Sequence, residues 1–186
     1  LHAFFRYVQV EEPVLLASCQ RILAIPFKKH EQLAVRHLSP EAIRLILEQP
    51  DRSTPQGRRD LTVLSVLYDT GARVQELVDL RVRDVRLDEP PVVTLTGKGR
   101  KSRHVPLMHN TAELLRRYMQ EHPLGSVETI DRPMFVNRQC GKMTRAGISY
   151  ILRIHSETAR RQSPIVPERI TPHVLRPTKA THLYQS

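Results

Sequence analysis

The apolar residues of this chain change their period once, and only briefly. From Ser39 to Leu80 they recur at helical spacing, and after Asn110 that spacing returns. Between them lie three short β-type runs, Val85 to Leu87, Val92 to Leu95 and His104 to Leu107. Glu89-Pro90-Pro91 separates the first two, and the segment Gly97 to Lys101 separates the last two. Short runs joined by turn residues pair with their neighbours. The pattern therefore predicts a mainly α fold (α+β) carrying a small three-stranded antiparallel sheet.

The helices around the sheet have legible ends. Ser39-Pro40-Glu41 gives a capping residue, a proline at the first helical position and an early acid, and Pro50 closes that helix. Gly57 to Tyr68 follows, with Leu61, Leu64, Leu67 and Tyr68 at helical spacing, until Asp69-Thr70-Gly71 breaks it. Arg73 to Leu80 is a third, shorter helix. Asn110 to His122, Thr144 to Arg161 with Thr144 as its cap, and a last helix opening at Thr171-Pro172 complete the set. Met134 to Val136 reads as a short extended piece, and Ser163 to Arg169, with Pro164 and Pro167, as loop.

Upstream, Leu1 to Gln9 and Pro13 to Ile25 read as two short helices with apolar faces, the second stopped by Pro26. Such a pair is too small to fold alone. Residues 1–26 are thus expected to be the end of a helical domain, residues 27–37 a polar, basic linker, and residues 38–186 a second domain.

The bulk numbers narrow the partner. Apolar residues make up 40 % of the 186, enough for a sizeable core. Lys and Arg total 29 against 19 Asp and Glu, a formal charge of +10. Such an excess favours a polyanion, and the preponderance of Arg favours bidentate phosphate contacts, hence nucleic acid. No apolar run is long enough to span a bilayer, so a membrane partner is not expected. Cys19 and Cys140 make no CxxC and suit a reducing interior, and the expected location is cytoplasmic. The nine histidines form no HExxH and no Cys/His cluster, so a structural or catalytic zinc is not expected.

Three separated segments carry cations that suit a phosphodiester. In TGARVQELVDL, Arg73 opens a helix after a glycine break. Glu76, one turn on, is placed to pair with Arg73 or with a neighbouring backbone N–H. In LTGKGRKSRHVPL, Lys98 sits between two glycines at a hairpin tip, where it can reach a phosphate or donate a proton to a leaving oxygen. Arg100, Lys101 and Arg103 follow it and make the hairpin a basic finger, a candidate DNA contact. In TPHVLRPTKATHLYQS, His173 and Arg176 share one helix face, the first suited to moving a proton and the second to clamping two phosphate oxygens. Lys28 and Lys29 in the linker are further candidates for the DNA backbone. Taken singly, Lys98 and the pair Lys28 and Lys29 read about equally well as ordinary charged surface, and for Arg73 with Glu76 and for His173 with Arg176 the plain surface reading is the commoner one. His182 faces away from Arg176 and reads as structural or incidental, and Tyr184 points along its helix rather than toward a phosphate held by Arg176. Glu76, Asp79, Asp84 and Asp88 do not converge as the acids of a metal-dependent nuclease would.

Together the segments resemble the tyrosine recombinase (phage integrase) family. TGARVQELVDLRVRDV is similar to its first box, GKGRKSRHVPL to its β-hairpin lysine motif and TPHVLRPTKATHLYQ to its second box, in that order. Residues 1–25 are similar to the end of the helical core-binding domain that precedes the catalytic domain. The resemblance implies that Arg73 and Arg176 hold a scissile phosphate, that Lys98 is the general acid for the leaving 5′ oxygen, and that His173 assists proton transfer at the attacking group. It implies double-stranded DNA as partner and self-association on DNA in the full-length parent. The implied function is site-specific recombination or integration of a mobile element through a 3′-phosphotyrosine, without a cofactor. Two departures stand out. Pro177 follows Arg176 where the family usually has His, and a proline there would move the helix start by a residue or two. The family's nucleophilic tyrosine falls past Ser186, so the catalytic domain is expected to be truncated at its C-terminus, with its nucleophile beyond the chain end. Such a fragment is expected to bind DNA without cleaving it; the alternative is a non-catalytic DNA-binding remnant.

Overall fold

The structure is a computed structural model, and it describes residues 2–25, 37–122, 124 and 127–185. The chain divides into two compact units, Leu1–Ala34 and Val35–Ser186. In the first, α1 (His2–Glu11) packs on α2 (Leu16–Leu23) across a 3₁₀ turn at Pro13–Leu15. Cys19 is enclosed, while Phe4, Tyr7 and Val10 stay exposed, as a pair of short helices cannot cover its own apolar faces. Pro26 and nearly all of the predicted linker lie outside the described residues.

The second unit is built on one central helix. Its first helix, α3 (Pro40–Glu48), starts as expected, with Ser39 Oγ accepting from the Ala42 amide at 3.1 Å. The central α4 (Pro55–Thr70) is longer than its apolar spacing predicts. Thr54 caps it, accepting from the Gly57 amide at 3.0 Å, and Pro55 takes the first helical position. At its other end Gly71 adopts the left-handed region, φ 55°, where a side chain would be strained. Val63, Leu64, Val66 and Leu67 of α4 are fully enclosed.

After α5 (Val74–Asp79) come β1 (Val85–Arg86), β2 (Val92–Thr96) and β3 (Ser102–Pro106), paired antiparallel in that order. The β2–β3 ladder runs past the apolar residues to Thr96↔Ser102, so β3 begins two residues before its predicted start. Strand alternation splits the hairpin into two faces. Val93 and Leu95 are buried with the core, whereas Thr94 and Thr96 bond His104 and Ser102 on the outer face. Then follow α6 (His109–Glu121), α7 (Arg145–Gln162), capped by Thr144, and α8 (Pro172–Gln185). Met134 to Val136, predicted as extended, is not a strand: Met134 and Phe135 plug the core, and the backbone nearby makes only the isolated bridges Arg81↔Pro133 and Val136↔Lys142.

Pro177 does not move the start of α8, contrary to expectation. The helix begins at Pro172 and runs through Pro177 to Gln185. What holds it is tertiary. Leu175 and Thr178 are buried, and Thr178 Oγ1 accepts from the Leu38 amide at 3.0 Å. Lys179 Nζ bonds Asp69 Oδ1 of α4 at 2.9 Å, and the other Asp69 oxygen accepts from the Met108 amide at 2.8 Å. His182 bridges the Tyr68 hydroxyl at 2.8 Å and the Leu38 carbonyl at 2.9 Å, so its role here is structural, as its position suggested.

The core joins Leu64 and Leu67 of α4, Leu77 of α5, Leu95 of β2, Leu115 of α6 and Leu152 of α7. Among the described residues no helix is long and apolar enough to cross a membrane. Leu67→Ala is expected to cost about 2–5 kcal/mol, since α4 is packed on several sides and cannot collapse onto the void. Denaturant unfolding measures this, and a loss below about 1 kcal/mol would contradict the central place of α4.

Candidate active site

The turn between α4 and α5 is the point from which the site is built. Gly71 lets the chain reverse there, and Arg73 is the extended residue that caps α5. Glu76, in the first turn of α5, reaches back to it. One carboxylate oxygen, Oε2, accepts from the Arg73 amide at 2.8 Å, and Oε1 accepts from Arg73 Nη1 at 2.9 Å. Both pairings open to Glu76 from sequence are therefore made at once.

A third group completes the arrangement. Arg103 on β3 donates from Nη1 to Glu76 Oε1 at 2.9 Å and from Nη2 to Oε2 at 2.7 Å. The Glu76 side chain is 3 % exposed. Burial opposes its charge, but the Arg103 fork, the Arg73 amide and the Arg73 guanidinium outweigh that and hold its pKa at about 2. Arg73 remains 55 % exposed, with its guanidinium tethered at one nitrogen.

The hairpin comes in against this cluster. A Cβ on Gly97 would lie 2.9 Å from Glu76 Oε1 and 3.5 Å from Arg73 Nη1, so a larger residue there would have to displace the Glu76 carboxylate from its hydrogen bonds. Lys98 follows directly, opening a tight turn, Lys98–Arg100, in which Gly99 has φ 75°. The Lys98 side chain lies outside the described residues. Arg100 and Lys101 are exposed at the tip, whereas Arg103 points inward.

The last helix reaches the same turn. A Cβ on Gly71 would lie 3.7 Å from Arg176 Cγ and 3.9 Å from its Cα, so α8 rests on the α4–α5 reversal. His173 and Arg176 are both exposed. Among the described residues neither has a hydrogen-bonding or ion-pair partner, so both are open to a ligand. His173 and Val74 border a cleft of about 1210 Å³, which Arg145, Arg153, Arg160 and Arg169 line together with Glu157 and Glu168.

The structure thus draws Arg73, Glu76, the Gly97 backbone beside Lys98, Arg176 and His173 around one turn. Lys28 and Lys29 lie outside the described residues. Two features escaped the sequence reading. In Ser102-Arg103-His104-Val105, alternation puts Arg103 on the face of Val105, the core side, where a cation needs a buried acid. The cleft arginines of α7 recur at helical spacing on one face, a pattern readable from positions 145, 153 and 160. The acids are engaged separately: Asp79 with Lys142 and Gln75, Asp84 with the Arg81 amide. No group of three or more His, Cys, Asp or Glu is placed to hold a metal among the described residues. Tyr184 is 92 % exposed near the end of α8.

Because the folded pKa of Glu76 lies below its ordinary 4.5, its contribution to stability is complete above about pH 4.5 and is lost as pH falls toward about 2. Stability measured by denaturant titration between pH 6 and 2 should therefore fall more steeply for the wild type than for Glu76→Gln. Parallel curves would contradict the ion-pair geometry.

Comparison with known proteins identifies the family. Residues 36–186 match the phage integrase family. A putative integrase/recombinase, y4rD, of Sinorhizobium fredii is 34 % identical over 178 residues, which cover 95 % of this chain and 63 % of that protein. The crystal structure of XerA recombinase matches with a TM-score of 0.68 at 25 % identity, over 96 % of this chain and 61 % of that one. XerH site-specific recombinase bound to its difH substrate, a pre-cleavage complex, matches with a TM-score of 0.62 at 27 % identity, over 80 % of this chain and 42 % of that one. The chain spans less than two thirds of each of these proteins. With the family match running through all three cation-bearing segments, the chain belongs to the phage integrase family.

Proposed function

We propose that this chain carries the phosphate-holding part of an active site for site-specific DNA recombination or integration, with double-stranded DNA as its partner. The observation that carries this is a pair of exposed arginines at one backbone reversal: Arg73, tethered by Glu76, and Arg176, whose Cα and Cγ lie against Gly71, with His173 one helical turn before it. Two such groups can grip the non-bridging oxygens of a single phosphodiester and offset the charge that builds up as phosphorus becomes five-coordinate. The arginine-lined cleft continues from His173 and gives the polyanion a path away from the site. The DNA-bound XerH relative supports the same partner.

In the reaction so proposed, a tyrosine hydroxyl attacks phosphorus. The new P–O bond forms as the bond to the 5′ oxygen breaks. His173 takes up the tyrosyl proton, and Lys98 supplies a proton to the departing 5′ oxygen. One phosphoester replaces another, so the step needs no external energy source, and a 5′ hydroxyl reverses it. The nucleophilic tyrosine and self-association on DNA belong to this proposal for the longer protein, as does a cytoplasmic site of action. Tyr184 is not taken as that nucleophile, because it lies about two turns beyond Arg176 on the same helix and so along α8 rather than facing a phosphate held by Arg176.

Titration of duplex binding against salt tests the phosphate role. Arg73→Ala and Arg176→Ala are each expected to weaken binding and to reduce the slope of log K against log salt by about one. Slopes unchanged from the wild type would sink the assignment of these two residues.

A further inference from the structure

We propose that Arg103 is a positioning residue of this site, locking the Lys98 hairpin and the Arg73 guanidinium into one register through Glu76. The inference rests on the reading of Arg73 as a phosphate ligand. It gives Arg103 a different task from its exposed neighbours Arg100 and Lys101, with which it forms a single basic run in sequence.

The geometry carries it. Each oxygen of Glu76 takes one bond from Arg103 and one from Arg73. Oε1 accepts from Nη1 of both residues at 2.9 Å; Oε2 accepts from Arg103 Nη2 at 2.7 Å and from the Arg73 amide at 2.8 Å. A carboxylate has about four acceptor positions, and all are filled. The terminal torsion of a glutamate is otherwise broad. A planar arginine fork holding both oxygens fixes the plane of the carboxylate, which a lysine cannot do. That plane decides where Oε1 meets Arg73 Nη1.

The same fork ties two distant pieces of chain. Arg103 and Glu76 are 27 residues apart, one on β3 and the other on α5. Arg103 pairs across the ladder with Leu95, two residues before Gly97, and Gly97 lies against both Oε1 and Arg73 Nη1. Where Arg103 holds Glu76, it therefore also sets how the base of the hairpin, and with it the Lys98 backbone, meets Arg73. Its side chain is 36 % exposed, and both terminal nitrogens are committed to Glu76.

The test is a double-substitution cycle on duplex binding, with thermal unfolding of every variant and the ¹H–¹⁵N signal of Arg73 Nε in the free protein. Arg103→Lys keeps the charge and loses the fork. It should weaken binding about tenfold in the wild-type background and change nothing in an Arg73→Ala background. In the free Arg103→Lys protein the Arg73 Nε signal should shift or broaden while the protein stays folded. Equal losses in both backgrounds, with Arg103→Ala removing a further unit of salt slope, would make Arg103 a direct DNA contact and overturn the proposal. An unchanged Arg73 Nε signal in Arg103→Lys would overturn it as well. If Arg73→Ala itself leaves DNA binding intact, the phosphate reading fails, and the Nε signal still decides the positioning role. Arg103→Ala combined with Glu76→Gln removes both charges of the pair, so a folding defect from a buried unpaired acid is told apart from lost positioning.

Discussion

A carboxylate nearly closed off from water must be matched by cations, and the Glu76 carboxylate is matched by two arginines and a backbone amide from separate parts of the chain. This one group fixes the start of α5, the inner face of the sheet and the pose of Arg73 together. Its charge persists because four donors outweigh the cost of burial. Remove that balance, and the hairpin loses its polar tie to α5 while Arg73 loses its anchor.

The second half of the site depends on α8 lying at a set height against α4. Asp69 is the counterpart of Glu76 here, a buried acid that holds Lys179 of α8 and the amide at the start of α6. Thr178 and His182 tie α8 to Leu38, at the entry of the second unit. These contacts place Arg176 on Gly71, two residues from Arg73. Two buried carboxylates on either side of one glycine turn thus bring together cations that are 103 positions apart in the chain. Catalysis of phosphoryl transfer by positioned charge needs this kind of preorganisation, since the groups must be in place before charge develops.

Much of this was legible in the sequence, and the reasons are local. Ser39 and Thr144 are caps that act within three residues of themselves. The three strands announce themselves by a change of period, and the pairing of Glu76 with Arg73 lies within one helical turn. What was not legible depends on distant partners. Helix α4 is the exception, a local miss: it outruns its apolar spacing because Thr54, three residues from the amide it caps, and Gly71 set its ends. Met134 and Phe135 look like strand residues but serve as core plugs. Pro177 ought to end or displace a helix, yet α8 persists because Leu175, Thr178 and Lys179 are held from outside it. Arg103 looked like one more charge on a basic finger, because alternation across a short strand is easily masked by neighbouring arginines and lysines.

The proposed function requires Arg73 and Arg176 to address the same phosphate. The structure of this chain bound to duplex DNA tests it most directly. The expected result is one backbone phosphate with oxygens within about 3.2 Å of both guanidiniums, and with His173 facing it. Guanidiniums on different phosphates, or a duplex lying across another face of the second unit, would contradict it.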